Sequence, residues 1–286
     1  MNVQHINPTT TIIEGMSNDM YHSQEDAEVP RLSYSTAKTI IQKSPLHAWN
    51  DHPRGGNARK ESSASMDMGS IIHGLLLGHG DEIVEIDADS FRTKLAKELR
   101  DEANAAGKIP ILKSKMDDIR ILEESVKSQL RDIYPRFFES HFSELTVYWE
   151  ADNGVKCQSR WDWIAPEDGL IIDVKSTADA SPEKCERKIL DMGYHIQQFM
   201  YTRAAEKAWP AMAGRFEYRF LFIETEPPYA INIAEADSMF YELGSLQAYR
   251  AAEQWRIGLE TGKWKGYGET FLYCPAWAMT KEGLNQ

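Results

Sequence analysis

The chain has 286 residues, a hydrophobic fraction of 42% and a formal charge of −12. That is ample apolar material for a packed core, yet no run approaches the roughly 18 apolar residues of a membrane span. The acidic excess excludes a passive nucleic-acid coat protein, because phosphate affinity comes largely from Lys and Arg. It leaves open an enzyme that grips DNA in a locally basic groove while a bound cation offsets its carboxylates.

The N-terminus MNVQHINPTT has neither a basic nor an apolar segment and does not read as a secretory signal. Residues 1 to 32 read as an irregular or short-stranded lead-in. A helical pattern opens at Leu32-Ser33-Tyr34-Ser35 and continues through Ala37, Ile40 and Ile41, with Ser33 or Ser35 as its N-cap. Pro45 begins a second short helix. Arg54 to Ser65 (RGGNARKESSAS) has the composition of a surface loop carrying Arg54, Arg59 and Lys60. Met68 to Leu77 is apolar enough for a buried helix and contains His73. Helices follow near Phe91–Ala106 and Lys113–Leu130, with Pro110 as the break between them.

From Glu144 the period changes to two. Glu144 to Glu150 reads as a strand and Asp152-Asn153-Gly154 as a hairpin turn. Gln158 to Ile164 and Leu170 to Thr177 are the next strands, joined by Pro166-Glu167-Asp168-Gly169. If those residues form the loop of a hairpin, Asp162 falls opposite Asp173, with Lys175 on the same face as Asp173. Opposed carboxylates either raise one pKa or hold a cation. Ser181-Pro182 starts a helical region that runs to about Ala208 with a break at Gly193. Phe216–Ile223 and Tyr229–Ile233 read as strands around Pro227-Pro228, and a long helix covers about Glu235 to Glu260. An aromatic tail with Trp264, Tyr267, Phe271, Tyr273 and Trp277 closes the chain. Cys157, Cys185 and Cys274 are scattered, which argues against a zinc site or disulfide framework and for a cytoplasmic protein.

This pattern predicts one α/β or α+β domain. Residues 1–140 form a mainly helical part carrying His73. Residues 141–235 form the catalytic sheet-and-helix core, and 236–286 the final helix and tail.

The order Glu144, Asp162, Asp173-Val174-Lys175, then Gln197 and Tyr201 resembles the PD-(D/E)XK nuclease superfamily. Tyr21-His22, LSYSTAKTIIQKSPLHAW, MDMGSIIHGLLL, CQSRWDWI, IIDVKSTAD and YHIQQFMY resemble the ordered motifs of the RecE-type exonucleases (the exodeoxyribonuclease VIII family), over about residues 21 to 233. The resemblance implies a restriction-endonuclease-like core, a mixed central sheet flanked by helices. It implies Asp162, Asp173, the Val174 carbonyl and His73, from the Gly69-to-His73 element, as ligands of Mg²⁺, for which Mn²⁺ could substitute, with two ions per site. Lys175 would orient the attacking water and neutralise the phosphorane. Glu144 would be the first acidic motif, with Glu150 the competing acid. Gln197 and Tyr201, one helical turn apart, would lie against the site or the DNA backbone. Arg160 would grip phosphate. Ser33 and Ser35 would either bind phosphate at a helix N-terminus or simply cap it.

The activity so implied is 5′-to-3′ hydrolysis of one strand of duplex DNA to mononucleotides, leaving 3′ single-stranded tails for recombination by strand annealing. The resemblance also implies double-stranded DNA ends as substrate, a homo-oligomeric ring, a RecT-like single-strand annealing partner and a phage or prophage origin. The alternatives are another PD-(D/E)XK nuclease such as a RecB-like domain, or a non-catalytic DNA-end binding protein.

Overall fold

The computed structural model describes residues 1–55, 64–78 and 83–274. The N-terminal segment takes the short-stranded form of the two expected: β1 (Asn2–Asn7) and β2 (Thr10–Glu14) form a hairpin that extends the main sheet. Ile12 and Ile13 are both buried, and β2 pairs antiparallel with a later strand, so these side chains are held by the core on either face. Next come α1 (Asn18–Ser23), α2 (Tyr34–Gln42), α3 (Pro45–Asp51) and α4 (Ala64–Leu77). Arg54 lies in a short 3-10 turn, Pro53–Gly55. Arg59 and Lys60 lie outside the described residues.

β3 (Ile83–Ile86) and β4 (Ile109–Leu112) form a separate parallel pair around α5 (Lys94–Ala105), and α6 (Lys113–Ile133) follows. Pro110 therefore sits within a strand, opposite Val84, rather than in a break between helices. A two-stranded sheet has only edges, where a missing N–H is tolerated.

The core then unfolds in the anticipated order: β5 (Phe142–Glu150), β6 (Lys156–Ala165), β7 (Leu170–Thr177), α7 (Pro182–Asp191), α8 (Tyr194–Ala208), β8 (Glu217–Glu224), β9 (Ile231–Glu235) and α9 (Ser238–Thr261). The seven strands run β1-β2-β5-β6-β7-β8-β9, all neighbours antiparallel except β7 and β8. That parallel step is bridged by α7 and α8, as a crossover requires.

Both faces of the sheet are covered. Trp161, Ile171, Phe220 and Phe222 pack with α8, α9 and α2 on one side. Trp163, Ile172, Val174, Leu221 and Ile223 pack with α4 and α6 on the other. Burial on both sides explains why β7 and β8 read as nearly continuous apolar runs. Gly193, at φ 70, makes the turn between α7 and α8 that an L side chain would resist. Gly244 lets α9 press onto α8, because a Cβ there would lie 2.0 Å from the His195 carbonyl oxygen.

Part of the aromatic tail belongs to this core. Trp264 stacks on Trp49 at 4.6 Å and tilts against Trp255, while Tyr267 meets His47. Phe271 and Tyr273 are exposed, and Trp277 lies outside the described residues. Among the described residues, no helix is long and apolar enough to cross a membrane.

Candidate active site

Strand register assembles the acids. β5 and β6 pair Ser143 with Trp163 and Leu145 with Trp161, which brackets Glu144 opposite Asp162. β6 and β7 pair Trp163 with Ile172, so the next row brings Asp162 alongside Asp173, as the hairpin reading expects. Glu144, Asp162 and Asp173 thus form a row across three neighbouring strands. Neither acidic pair is part of the ladder itself. Glu144 has φ 51, a left-handed conformation rare for a residue with a side chain and costing roughly 1–3 kcal/mol. Such local strain is common where a side chain must be aimed at a site. In the gap, the Asp162 carboxylate accepts a hydrogen bond of 2.7 Å from the Val174 backbone N–H.

His73 reaches this row from α4. Its Nε2 is 3.0 Å from the Val174 carbonyl oxygen and 3.8 Å from Asp162 Oδ2, and its Nδ1 is 3.4 Å from Glu144 Oε1. One ligand atom each from His73, Glu144 and Asp162 lie within 4.8 Å of one another. Gly69, a turn earlier, lies against β7, where a Cβ would be 3.5 Å from Ser176 Oγ. Burial disfavours the His73 cation, but Asp162 and Glu144 outweigh it and lift its pKa to about 9. Two carboxylates, a carbonyl and an imidazole form a donor set suited to Mn²⁺ and acceptable to Mg²⁺. The charged acids drawn around His73 mark a place that favours a cation.

Asp173 is not one of this trio. Its Oδ1 accepts a hydrogen bond from Gln197 Nε2 at 2.9 Å, and its Oδ2 forms a 2.5 Å ion pair with Lys175 Nζ. Burial raises the Asp173 carboxyl above its ordinary range; Lys175 opposes this and Asp162 adds to it. Lys175 also lies 4.6 Å from the centre of the Tyr194 ring. Burial works against its ammonium, but Asp173 and Asp162 prevail and hold its pKa above the usual lysine value. Lys175 is therefore a fixed cation rather than a base. Tyr194, three residues before Gln197 and on the same helix face, is a neighbour the sequence signalled only through that spacing.

Gln197 lies against the site, where it donates to Asp173. Several other expected contacts are different. Tyr201 is buried, and its backbone carbonyl accepts the Trp161 indole N–H at 3.1 Å. Arg160 is 7% exposed, and its donors are committed within the protein. Nε bonds Thr146 Oγ1, Nη1 bonds Asn18 Oδ1, and Nη2 bonds the Met16 and Ser17 carbonyls. The guanidinium lies over the Tyr21 ring, with Nη1 4.0 Å from Glu144 Oε2. It braces the N-terminal segment against the site instead of projecting to phosphate. Ser33 caps α2 by accepting the Thr36 N–H, and its Oγ contacts the Ser35 and Thr36 hydroxyls. Arg54 donates to the Ala27 carbonyl at 2.7 Å. Glu150, the competing acid, pairs with Lys156 away from the site.

Comparison with known proteins agrees with this architecture. Residues 33–276 match the PDDEXK-like domain of unknown function (DUF3799). No curated protein matches the chain in sequence. A proposed exonuclease from Eubacterium rectale, 14% identical, superposes with a TM-score of 0.60 over 93% of this chain and 97% of its own. A phage-related exonuclease from Haemophilus somnus 129PT, 12% identical, gives a TM-score of only 0.35 over 82% of this chain and 96% of its own.

Proposed function

Because this chain belongs to the PDDEXK-like family of the PD-(D/E)XK nuclease superfamily, we propose that it is a divalent-metal-dependent DNA exonuclease. In this reading it is RecE-like: it degrades one strand of linear duplex from a 5′ end to mononucleotides and leaves a 3′ tail for strand annealing. It acts as a homo-oligomeric ring beside a RecT-like annealing protein and uses Mg²⁺ or Mn²⁺, two ions per site. The observation that carries the reading is the convergence of His73, Glu144 and Asp162 within 4.8 Å, next to the Asp173–Lys175 pair.

His73, Glu144, Asp162 and the Val174 carbonyl are the groups that would hold one of these ions. When bound, the ion supplies Lewis-acid polarisation of the phosphate and favours attack by water. The chain's own residues do the rest. The Val174 N–H fixes the Asp162 carboxylate. Gln197 and Lys175 hold both oxygens of Asp173. Lys175, kept protonated by its acidic neighbours, places a positive charge where the pentavalent phosphorane accumulates negative charge. Because these donors are positioned before substrate arrives, little reorganisation accompanies the reaction.

Acid-soluble nucleotide release from end-labelled linear duplex, with Mn²⁺ or EDTA and with closed circular duplex as control, tests the reading. Release from linear DNA only, in Mn²⁺ only, with the 5′-labelled end lost first, supports it. Cleavage of circles, or release that survives EDTA, would contradict it.

A further inference from the structure

The charges around the site are divided. The carboxylates of Glu144 and Asp162 lie against His73, and the Asp173–Lys175 pair stands at the edge of that group. Beyond Lys175, two more lysines approach from separate helices. Lys188 on α7 donates from Nζ to the Ser176 carbonyl at 2.6 Å, one residue past Lys175. Lys38 on α2 lies over the α7–α8 turn: a Cβ at Gly193 would sit 3.3 Å from its Cγ. Gly193 directly precedes Tyr194, whose ring carries the Lys175 ammonium.

The helices that bring these lysines in are anchored. Tyr34, one turn before Lys38, donates to the Met192 carbonyl at 2.7 Å, and Gln42, one turn after it, donates to the Asp191 carbonyl at 2.8 Å. Both lysines are partly buried, and no carboxylate pairs with either among the described residues. Other cations of this acidic chain, Arg31, Arg100, Lys115, Arg120, Lys127 and Arg256 among them, do hold acids. Burial lowers the pKa of both, and repulsion from Lys175 adds to the lowering. Lys43 adds to the repulsion at Lys38, while at Lys188 Cys185 opposes the lowering by more than Lys175 adds to it. Holding like charges together and half out of water without a counter-ion is unfavourable, and an anion seated among them would relieve it.

We propose that Lys38 and Lys188, together with Lys175, form a seat for the backbone phosphodiester next to the one being cleaved. The inference rests on the nuclease reading above and supplies what that reading lacks once Arg160 is found to be occupied: a place where an acidic protein can hold a polyanion. Lys38 on α2 and Lys188 on α7 lie outside the metal-ligating trio, so these two position the strand without taking part in bond breaking, and Lys175 stands between them and the phosphodiester being cleaved.

Binding of linear duplex in Ca²⁺ is measured against salt for the parent, Lys38→Gln/Lys188→Gln, Lys38→Arg/Lys188→Arg and a remote control, Lys94→Gln/Lys97→Gln. Mn²⁺ titration of each accompanies it. Losing two phosphate contacts should weaken affinity roughly tenfold and flatten the log–log salt slope by about 1.8. The Arg pair should restore both, and the remote pair should change neither. Mn²⁺ binding must not weaken in the Gln pair, because removing cations cannot repel a cation; this also shows that the variant is folded. If the parent binds and cleaves DNA but the Gln pair keeps the parent's affinity and slope, the seat is wrong and the nuclease reading stands. An equal loss in the remote pair likewise overturns the seat. If the parent neither binds nor cleaves DNA in Mn²⁺, the nuclease reading itself fails and the seat with it.

Discussion

Arg160→Ala separates a brace from a phosphate clamp. The guanidinium is 7% exposed and donates to Thr146, Asn18, Met16 and Ser17 while covering the Tyr21 ring. Its removal orphans the Thr146 hydroxyl and the Met16 carbonyl, and it takes away the guanidinium 4.0 Å from Glu144. Breaking one partner of a buried charged network costs about 3–5 kcal/mol. For a chain of this size each kcal/mol lowers Tm by roughly 2–4 °C, so the variant should melt about 6–20 °C below the parent. Arg160→Lys keeps the charge but not the planar fork, and should recover less than half of the loss. Activity should fall in proportion to displacement of Glu144, seen as weaker Mn²⁺ binding, while the salt slope of DNA binding stays at the parent's value. Calorimetry and Mn²⁺ titration read these effects. An Arg160→Ala protein that melts within about 2 °C of the parent yet binds DNA with a flatter salt slope would refute the brace and restore the clamp.

Three further predictions follow from the same geometry. His73→Ala should weaken Mn²⁺ binding and activity, with partial rescue at raised Mn²⁺; full activity at ordinary Mn²⁺ would make His73 a core histidine. In the metal-free protein the His73 pKa is lifted to about 9, so a metal ion must displace its proton. Mn²⁺ affinity should therefore rise with pH as pH approaches 9, and less steeply in His73→Ala; a slope unchanged by that substitution would count against coordination by the imidazole. Lys175→Ala should lower single-turnover cleavage by roughly 10²–10³-fold, or about 2.7–4 kcal/mol, while Mn²⁺ binding persists, and near-normal turnover would remove Lys175 from the chemistry.

The alternation and turn residues made the central hairpin legible, because period two and Pro166–Gly169 fix a register in which a slip of one residue would turn every side chain over. The β6–β7 pairing through Trp163 and Ile172 is that register. The break at Gly193 was equally readable, from a residue that tolerates positive φ. Less could be read where contacts are made across long separations. Arg160 lies on the expected strand near the site, but its partners Met16, Ser17 and Asn18 are more than a hundred residues away, and nothing local announces them. The N-terminal segment could be read only as irregular or short-stranded for a related reason: β2 gains its place from pairing with β5, not from its own short pattern. Pro110 misled because a proline between two helical patterns looks like a stop when the partner strand, β3, is weakly patterned. Lys38 and Lys188 are ordinary helix lysines in sequence, and only the packing of α2 on the α7–α8 turn brings them near Lys175.

The central claim is that His73, Glu144, Asp162 and the Val174 carbonyl form a cation site. A crystal soaked in Mn²⁺ and measured at a wavelength where manganese scatters anomalously addresses it directly. The account predicts an anomalous peak among those four groups, lost in Asp162→Asn crystals treated in the same way. A peak coordinated by other residues, or density at that point that persists unchanged in the Asp162→Asn protein, would contradict it.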